Sequence, residues 1–400
     1  MSSEKVGSVE SGVRPLSFGL ILTMAIACGV AVANIYYNQP MLGVIKREFA
    51  GSWWVGLIPT ATQIGYGLGL FLLVPLGDLM DRRRLIVGQF LLLGVASFAA
   101  SLAPNAAALV AASLVVGACA SVAQQIIPFA ASLAAPDKRG STIGTVMAGL
   151  LCGILLSRLL SGVVATYAGW REMFQLGLPI SVGGAIAMAI ALPRNYPHSG
   201  LRYTEALKSL VHLWVAESSL RRASLMQAAM FASFSAFWTI LALHLEEPNF
   251  NLGADAAGLF GVVGAVGVVA APLAGRLADR RGSELVLCFG AGLVVVSWLL
   301  FGVWDHLAGL VAGVIIMDIG AQGALISNQH MIYALRPEAR SRLNTVFMTT
   351  MFVGGAFGSI GGIVAWESGG WLAVCGFGAA LALAALSLQM FDRAVASDAR

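Results

Sequence analysis

The sequence predicts an all-α membrane protein with about twelve transmembrane helices in two similar halves. Three observations carry that expectation. Of the 400 residues, 58% are hydrophobic and 11% charged, with a mean hydropathy of +0.82. A soluble chain carries charge on roughly a quarter of its residues. Apolar runs of about 20 residues, enough to cross a bilayer as helix, recur from residue 17 to residue 391. Finally, a short charged stretch returns at half length: GDLMDRRR at residues 77–84 and GRLADRRG at residues 275–282, 198 positions on.

In order, the apolar runs place spans at 17–40, 53–76, 84–102, 106–134, 141–166 and 172–192, then 223–245, 256–278, 284–303, 306–334, 342–366 and 370–391. This divides the chain into an N-terminal bundle (1–192), a linker loop (193–222) and a C-terminal bundle (223–400). Residues 1–16 are polar. The run that follows exceeds a signal-peptide core and has no clear small-residue cleavage site, so it reads as a retained helix. In the linker, Leu207, Leu210, Val211 and Trp214 share a helical face opposite Glu205, Lys208 and His212. That pattern fits a short helix on the membrane surface or a plain linker. The five cysteines all fall inside apolar runs without a CxxC pair, which favours small apolar filler over a disulfide framework or metal site.

Basic residues orient the spans. With the N-terminus inside, the cytoplasmic segments hold Arg82 to Arg84, Lys138, Arg139, Arg221, Arg222, Arg276, Arg280 and Arg281, among others. The opposite side holds Lys46, Arg47 and Arg171. Such asymmetry predicts both termini in the cytoplasm and an even number of spans.

The half-length repeat extends further. PDKRGSTIGTVM (136–147) answers PEARSRLNTVFM (337–348), and Gly169-Trp170 answers Gly370-Trp371. Matches in one orientation give parallel repeats, with a solute site between them near mid-membrane. In the charged stretches, Gly77 and Gly275 permit close approach, and Asp81 and Asp279 suit a helix N-terminus. Arg82 and Arg280 can pair with those carboxylates.

These stretches resemble the loop signature of the major facilitator superfamily, between the second and third helices of each half. The second copy fits closely through Gly275, Leu277, Ala278, Asp279, Arg280 and Gly282; the first has Arg84 where a glycine is usual. NIYYNQPML (34–42), DIGAQGALISNQ (318–329) and RSRLNTVFMTTMFVGGAFGS (340–359) resemble its bacterial drug-efflux-like, drug:proton antiporter branch. Span 5, GLLCGILLSRLLSG (149–162), departs from that branch, with Ser157-Arg158 where a glycine-proline bend is usual. The resemblance implies two pseudo-symmetric six-helix bundles, with spans 1, 4, 7 and 10 around a central cavity. It also implies a cytoplasmic gate at Gly77, Asp81, Arg82, Gly275, Asp279 and Arg280.

The polar residues agree with that placement. Spans 1, 4, 7 and 10 are rich in amides and aromatics, whereas spans 3, 6, 9 and 12 are nearly bare and read as lipid-facing. The expected cavity residues are Asn34, Tyr37, Asn38, Gln124, Gln125, Phe234, Trp238, Gln322 and Gln329. The alternative for each amide is a bridge to a neighbouring helix, and for each ring, packing. Two charges stand within spans, Asp318 in span 10 and Arg158 in span 5. Either costs about 3 kcal/mol at a bilayer centre on insertion scales. A carboxyl group withdrawn from water keeps its proton more readily, which suits Asp318 to proton coupling. Arg158 stays charged and can attract an anion or pair with Asp318.

The expected function is therefore secondary transport by alternating access: proton-coupled export of a small amphipathic solute through a bacterial inner membrane. The alternative is symport or facilitated uptake of a sugar, metabolite or organic anion. No nucleophile constellation, phosphate loop or metal spacing appears, so neither an enzyme nor a cofactor is expected. The expected partners are the solute, protons and membrane lipids, not nucleic acid, with the chain a monomer.

Overall fold

The computed structural model describes residues 17–135, 137–194, 202–267, 273, 275–277, 280, 282–336 and 339–398, with side chains described as far as residue 390. Among these residues no strand occurs, and ten helices are long and apolar enough to cross a membrane. The last, Arg340–Met390, holds two spans, because Gly369 and Gly370 leave helical geometry between them. Ala254–Gly267 is the described part of one more. Among the described residues this makes twelve apolar helical segments, six on each side of the central loop.

Local chemistry explains where the helices break. Span 1 divides at Tyr37 into Phe18–Tyr36 and Asn38–Glu48. Pro40 has no N–H to offer the Tyr36 carbonyl, so the ladder loses a bond there. Span 4 divides into Ala106–Ala120 and Ala123–Leu133, with Pro128 inside the second piece depriving Gln124 in the same way. Span 5, by contrast, is one unbroken helix, Arg139–Tyr167, since Ser157-Arg158 supplies both amide donors. Asp81 caps span 3 (Arg82–Ser101) by accepting a hydrogen bond from the Arg83 amide at 3.1 Å.

The Gly-Trp repeat has one structural meaning in both halves. Gly169 (φ 124°) and Gly370 (φ 64°) turn the chain between spans 5 and 6 and between spans 11 and 12. Each occupies a conformation that a side chain would strain. The tryptophans then tie the turns down: Trp170 Nε1 donates to Glu48 Oε2 at 2.6 Å, and Trp371 Nε1 to the Phe301 carbonyl at 3.1 Å.

Packing also repeats. Span 1 lies on span 5 as span 7 lies on span 11, with glycines at both crossings: Gly29 against Gly149 and Gly153, Gly354 against Ala228. The halves meet along two seams, span 2 on span 11 and span 5 on span 8. Leu91, Leu92 and Val95 on span 3, Ile186 and Ile190 on span 6, and Phe289 and Leu299 on span 9 are exposed and apolar, as lipid-facing helices require. The linker forms a helix, Tyr203–Ala216, pinned by a Tyr203 hydroxyl bond to the Leu72 carbonyl at 2.8 Å. Its buried face differs from the expected one: Leu210 and Leu213 are inside, while Val211 is exposed.

Candidate functional site

Between the two seams lies a cavity of about 310 Å³, walled by both halves. It runs from Arg158 and Asp318 at mid-span to Ile143, Tyr333 and Asn344, beside the loops joining spans 4 to 5 and 10 to 11. Its wall is largely apolar, with Phe231, Phe234, Phe352, Met147, Met230 and Met351 contributing. Among the described residues, the charged side chains on that wall are Arg158 and Asp318. Asp318 therefore faces the cavity and not lipid; the residue is 4% exposed, and Arg158 3%.

Arg158 is fixed on three sides. Its Nε donates to Gln39 Oε1 at 3.1 Å. The guanidinium carbon lies 3.8 Å from the Trp238 ring centroid and 4.8 Å from that of Tyr36, within cation–π range of both. Its Nη2 is buried without a hydrogen-bond partner, and so is Oδ2 of Asp318. Such orphan groups are costly in a low-dielectric interior unless something else reaches them. Span 8 makes room for both. A Cβ at Gly261 would sit 2.8 Å from Arg158 Cβ, and one at Gly264 would sit 3.2 Å from Asp318 Oδ2.

Of the residues expected in the cavity, Gln124, Phe234, Gln322 and Gln329 line it. Trp238 stands directly behind, stacked on Arg158. Asn34, Tyr37, Asn38 and Gln125 are off the wall. Asn34 donates to the Val30 carbonyl at 2.9 Å and accepts from Ser97 at 3.2 Å. Asn38 donates to Thr62 Oγ1 at 2.8 Å, Gln125 bonds Gln89 and the Leu73 carbonyl, and Tyr37 packs in the apolar core. These amides knit span 1 to spans 2 and 3, and span 4 to its neighbours. The face of span 1 turned to the cavity is Val32 and Tyr36, with Gln39 reaching Arg158. Sequence periodicity found the amide stripe, but span 1 carries two polar faces and the pattern alone does not say which one is wet. Tyr66 and the glycines of span 8 were also missed, although Gly258, Gly261, Gly264 and Gly267 recur every third residue.

The charged stretch of the first half is held by side-chain contacts. Arg82 donates to the Gly77 carbonyl at 2.9 Å, pairs with Asp78 at 2.8 Å and lies over the Phe129 ring of span 4. Arg83 reaches the Ala189 carbonyl at the end of span 6. In the second copy Gly275 is partly buried and Arg280 exposed, while Asp279 lies outside the described residues.

The opposite end of the cavity is closed. Arg47 pairs with Glu246 across the halves at 2.7 Å, and Gln63 donates to Ser359 at 3.0 Å. Nearby, His244 is fully buried. It stacks on Trp371 at 3.9 Å, with Glu247 at 2.8 Å from Nδ1 and Asp305 at 2.9 Å from Nε2.

Comparison with known proteins agrees with this architecture. The chain is 41% identical over 371 residues to the uncharacterized transporter YgaY of Escherichia coli, covering 92% of this chain and 94% of that one. It is 24% identical over 422 residues to the multidrug resistance protein B homolog of Mycobacterium tuberculosis, with 88% and 78% covered. The crystal structure of the nucleoside transporter NupG superposes with a TM-score of 0.75 at 12% identity, over 93% of this chain and 99% of that one, which bears on the fold alone. The profile of the Major Facilitator Superfamily matches residues 19–359 and 223–397. With its twelve spans and its cavity between two packed halves, the chain is a multi-pass membrane transporter of the Major Facilitator Superfamily.

Proposed function

We propose that the protein exports a small amphipathic solute in exchange for protons, across a bacterial inner membrane with both termini in the cytoplasm. Two bundles, residues 1–192 and 223–400, rock about the cavity while the segment 193–222 joins them. Asp318 carries the coupling proton and Arg158 tunes it or holds the solute. The charged stretches at 77–84 and 275–282 steady the cytoplasmic side. The observation that carries this reading is a buried carboxylate with an unpaired oxygen on the wall of a cavity shared by both halves. The likeness to the drug-efflux branch supports the direction.

The test is transport in proteoliposomes with the pH gradient set each way. Wild type is expected to move solute against the proton flow. Asp318→Asn is expected to lose gradient-driven flux, and any solute exchange that remains should not respond to the pH gradient. Undiminished proton-driven flux in that variant overturns the assignment. The competing reading, uptake of an organic anion, draws on the unpaired nitrogen of Arg158; it requires solute and protons to move in the same direction.

A further inference from the structure

We propose that the solute is a zwitterion with an apolar body, its carboxylate held by Arg158 and its ammonium by Asp318. This assignment rests on the transport reading above. The charge arithmetic of the cavity supports it. Arg158 and Asp318 share one wall, yet among the described residues no ion pair joins them, and Nη2 and Oδ2 are both left without a partner. The guanidinium cannot swing freely to close that gap, since Gln39 holds its Nε and the Trp238 and Tyr36 rings flank it.

Each class of solute leaves a different remainder. A cation satisfies Asp318 and leaves Arg158 buried and uncompensated; an anion does the reverse. A solute carrying one charge of each sign satisfies both and adds no net charge to a hydrocarbon-embedded site. The rest of the wall fixes the body. Phe231, Phe234, Phe352 and the surrounding methionines offer apolar and aromatic contacts, and the amides that share the wall, Gln124, Gln227, Gln322, Gln329 and Asn344, are uncharged and compete with neither ionic contact. A volume of about 310 Å³ lies at the small end of ligand cavities, which suits an amino-acid-sized molecule better than a large drug. Coupling follows from the same geometry. A proton on Asp318 removes the partner of the ammonium group, so proton and zwitterion exclude each other, as exchange requires.

The experiment titrates the purified protein in lipid nanodiscs with three probes, L-phenylalanine, phenethylamine and 3-phenylpropionate, and reads binding by calorimetry. The second and third probes lack the carboxylate and the ammonium respectively. L-phenylalanine is expected to bind about tenfold tighter than either, the gain from one charge-assisted contact. Arg158→Gln should erase its advantage over phenethylamine, with Arg158→Lys restoring part of it. Asp318→Asn should erase its advantage over 3-phenylpropionate. The wild-type comparison needs no variant to fold. Equal binding of all three probes, or of none, overturns the proposal. Flux of the same probes in proteoliposomes separates the two readings. Discrimination without proton-driven flux supports the ligand class and removes the transport mechanism. Proton-driven flux of phenethylamine equal to that of L-phenylalanine, without discrimination in binding, keeps the mechanism and overturns the zwitterion.

Discussion

At Gly264 an added Cβ would meet Asp318 Oδ2 at 3.2 Å and the Trp238 ring at 3.4 Å. The absence of a side chain there lets span 8 lie against Asp318 and Trp238 without displacing them. Gly264→Val is therefore expected to keep expression and monodispersity but to lower proton-driven flux about tenfold, an overpacking effect of the usual size. Gly292→Val, where nothing lies within 4 Å, is the matched control and should transport normally. Equal flux in the two variants would remove span 8 from the site. Asp318 and Arg158 were legible in the sequence because a charge inside an apolar run is rare and costly. Tyr36 and Gln39 were not, since neighbouring tyrosines and amides in NIYYNQ point to two faces and the helix break at Tyr37 changes the register between them. Gly261 and Gly264 were hidden for another reason: a glycine stripe in a span reads first as helix packing.

Among the elements, caps and turns carry the repeated motifs. Asp81 caps span 3, and its second oxygen lies 3.9 Å from the exposed Arg84 guanidinium. Surface ion pairs contribute little, whereas an N-cap contributes about 1 kcal/mol. Asp81→Ala should therefore destabilise by about 1 kcal/mol. Asp81→Asn, which keeps the acceptor and loses the charge, should lie close to wild type in thermal unfolding. If Asn destabilises as much as Ala, charge and not capping is the main contribution of Asp81. The positive-φ turns at Gly169 and Gly370 show why the Gly-Trp pair recurs, and the half-length spacing made it visible. The linker helix was less legible. Its face is set by the Tyr203 anchor on the Leu72 carbonyl, a contact 131 residues distant that local periodicity does not encode.

For the molecule as a whole, the closed end of the cavity sets the cost of a cycle. At the end that faces outward in the proposed orientation, Arg47 and Glu246 join the halves, but the Arg47 side chain is 62% exposed. Such a pair contributes modestly, so apolar packing of Met41, Leu42 and Ile45 around Leu241 and Leu245 supplies most of the closure. Alternating access requires this closure to open, and a weak ion pair over an apolar contact is a seal of adjustable strength. Glu246→Arg sets like charges against each other there and should shift the population toward the outward-open state. Each 1.4 kcal/mol of repulsion is about tenfold in that equilibrium. The readout is a cysteine placed at Ser235, 1% exposed and 3.5 Å from Gln63 near the crossing, in an otherwise cysteine-free chain. A membrane-impermeant thiol reagent added outside should label it several-fold faster in Glu246→Arg. Adding Arg47→Glu should return labelling toward the starting rate, because the pair is then restored with its signs exchanged. Unchanged labelling in the single variant would mean that the ion pair lies outside the moving seal, leaving the apolar layer to hold the halves together.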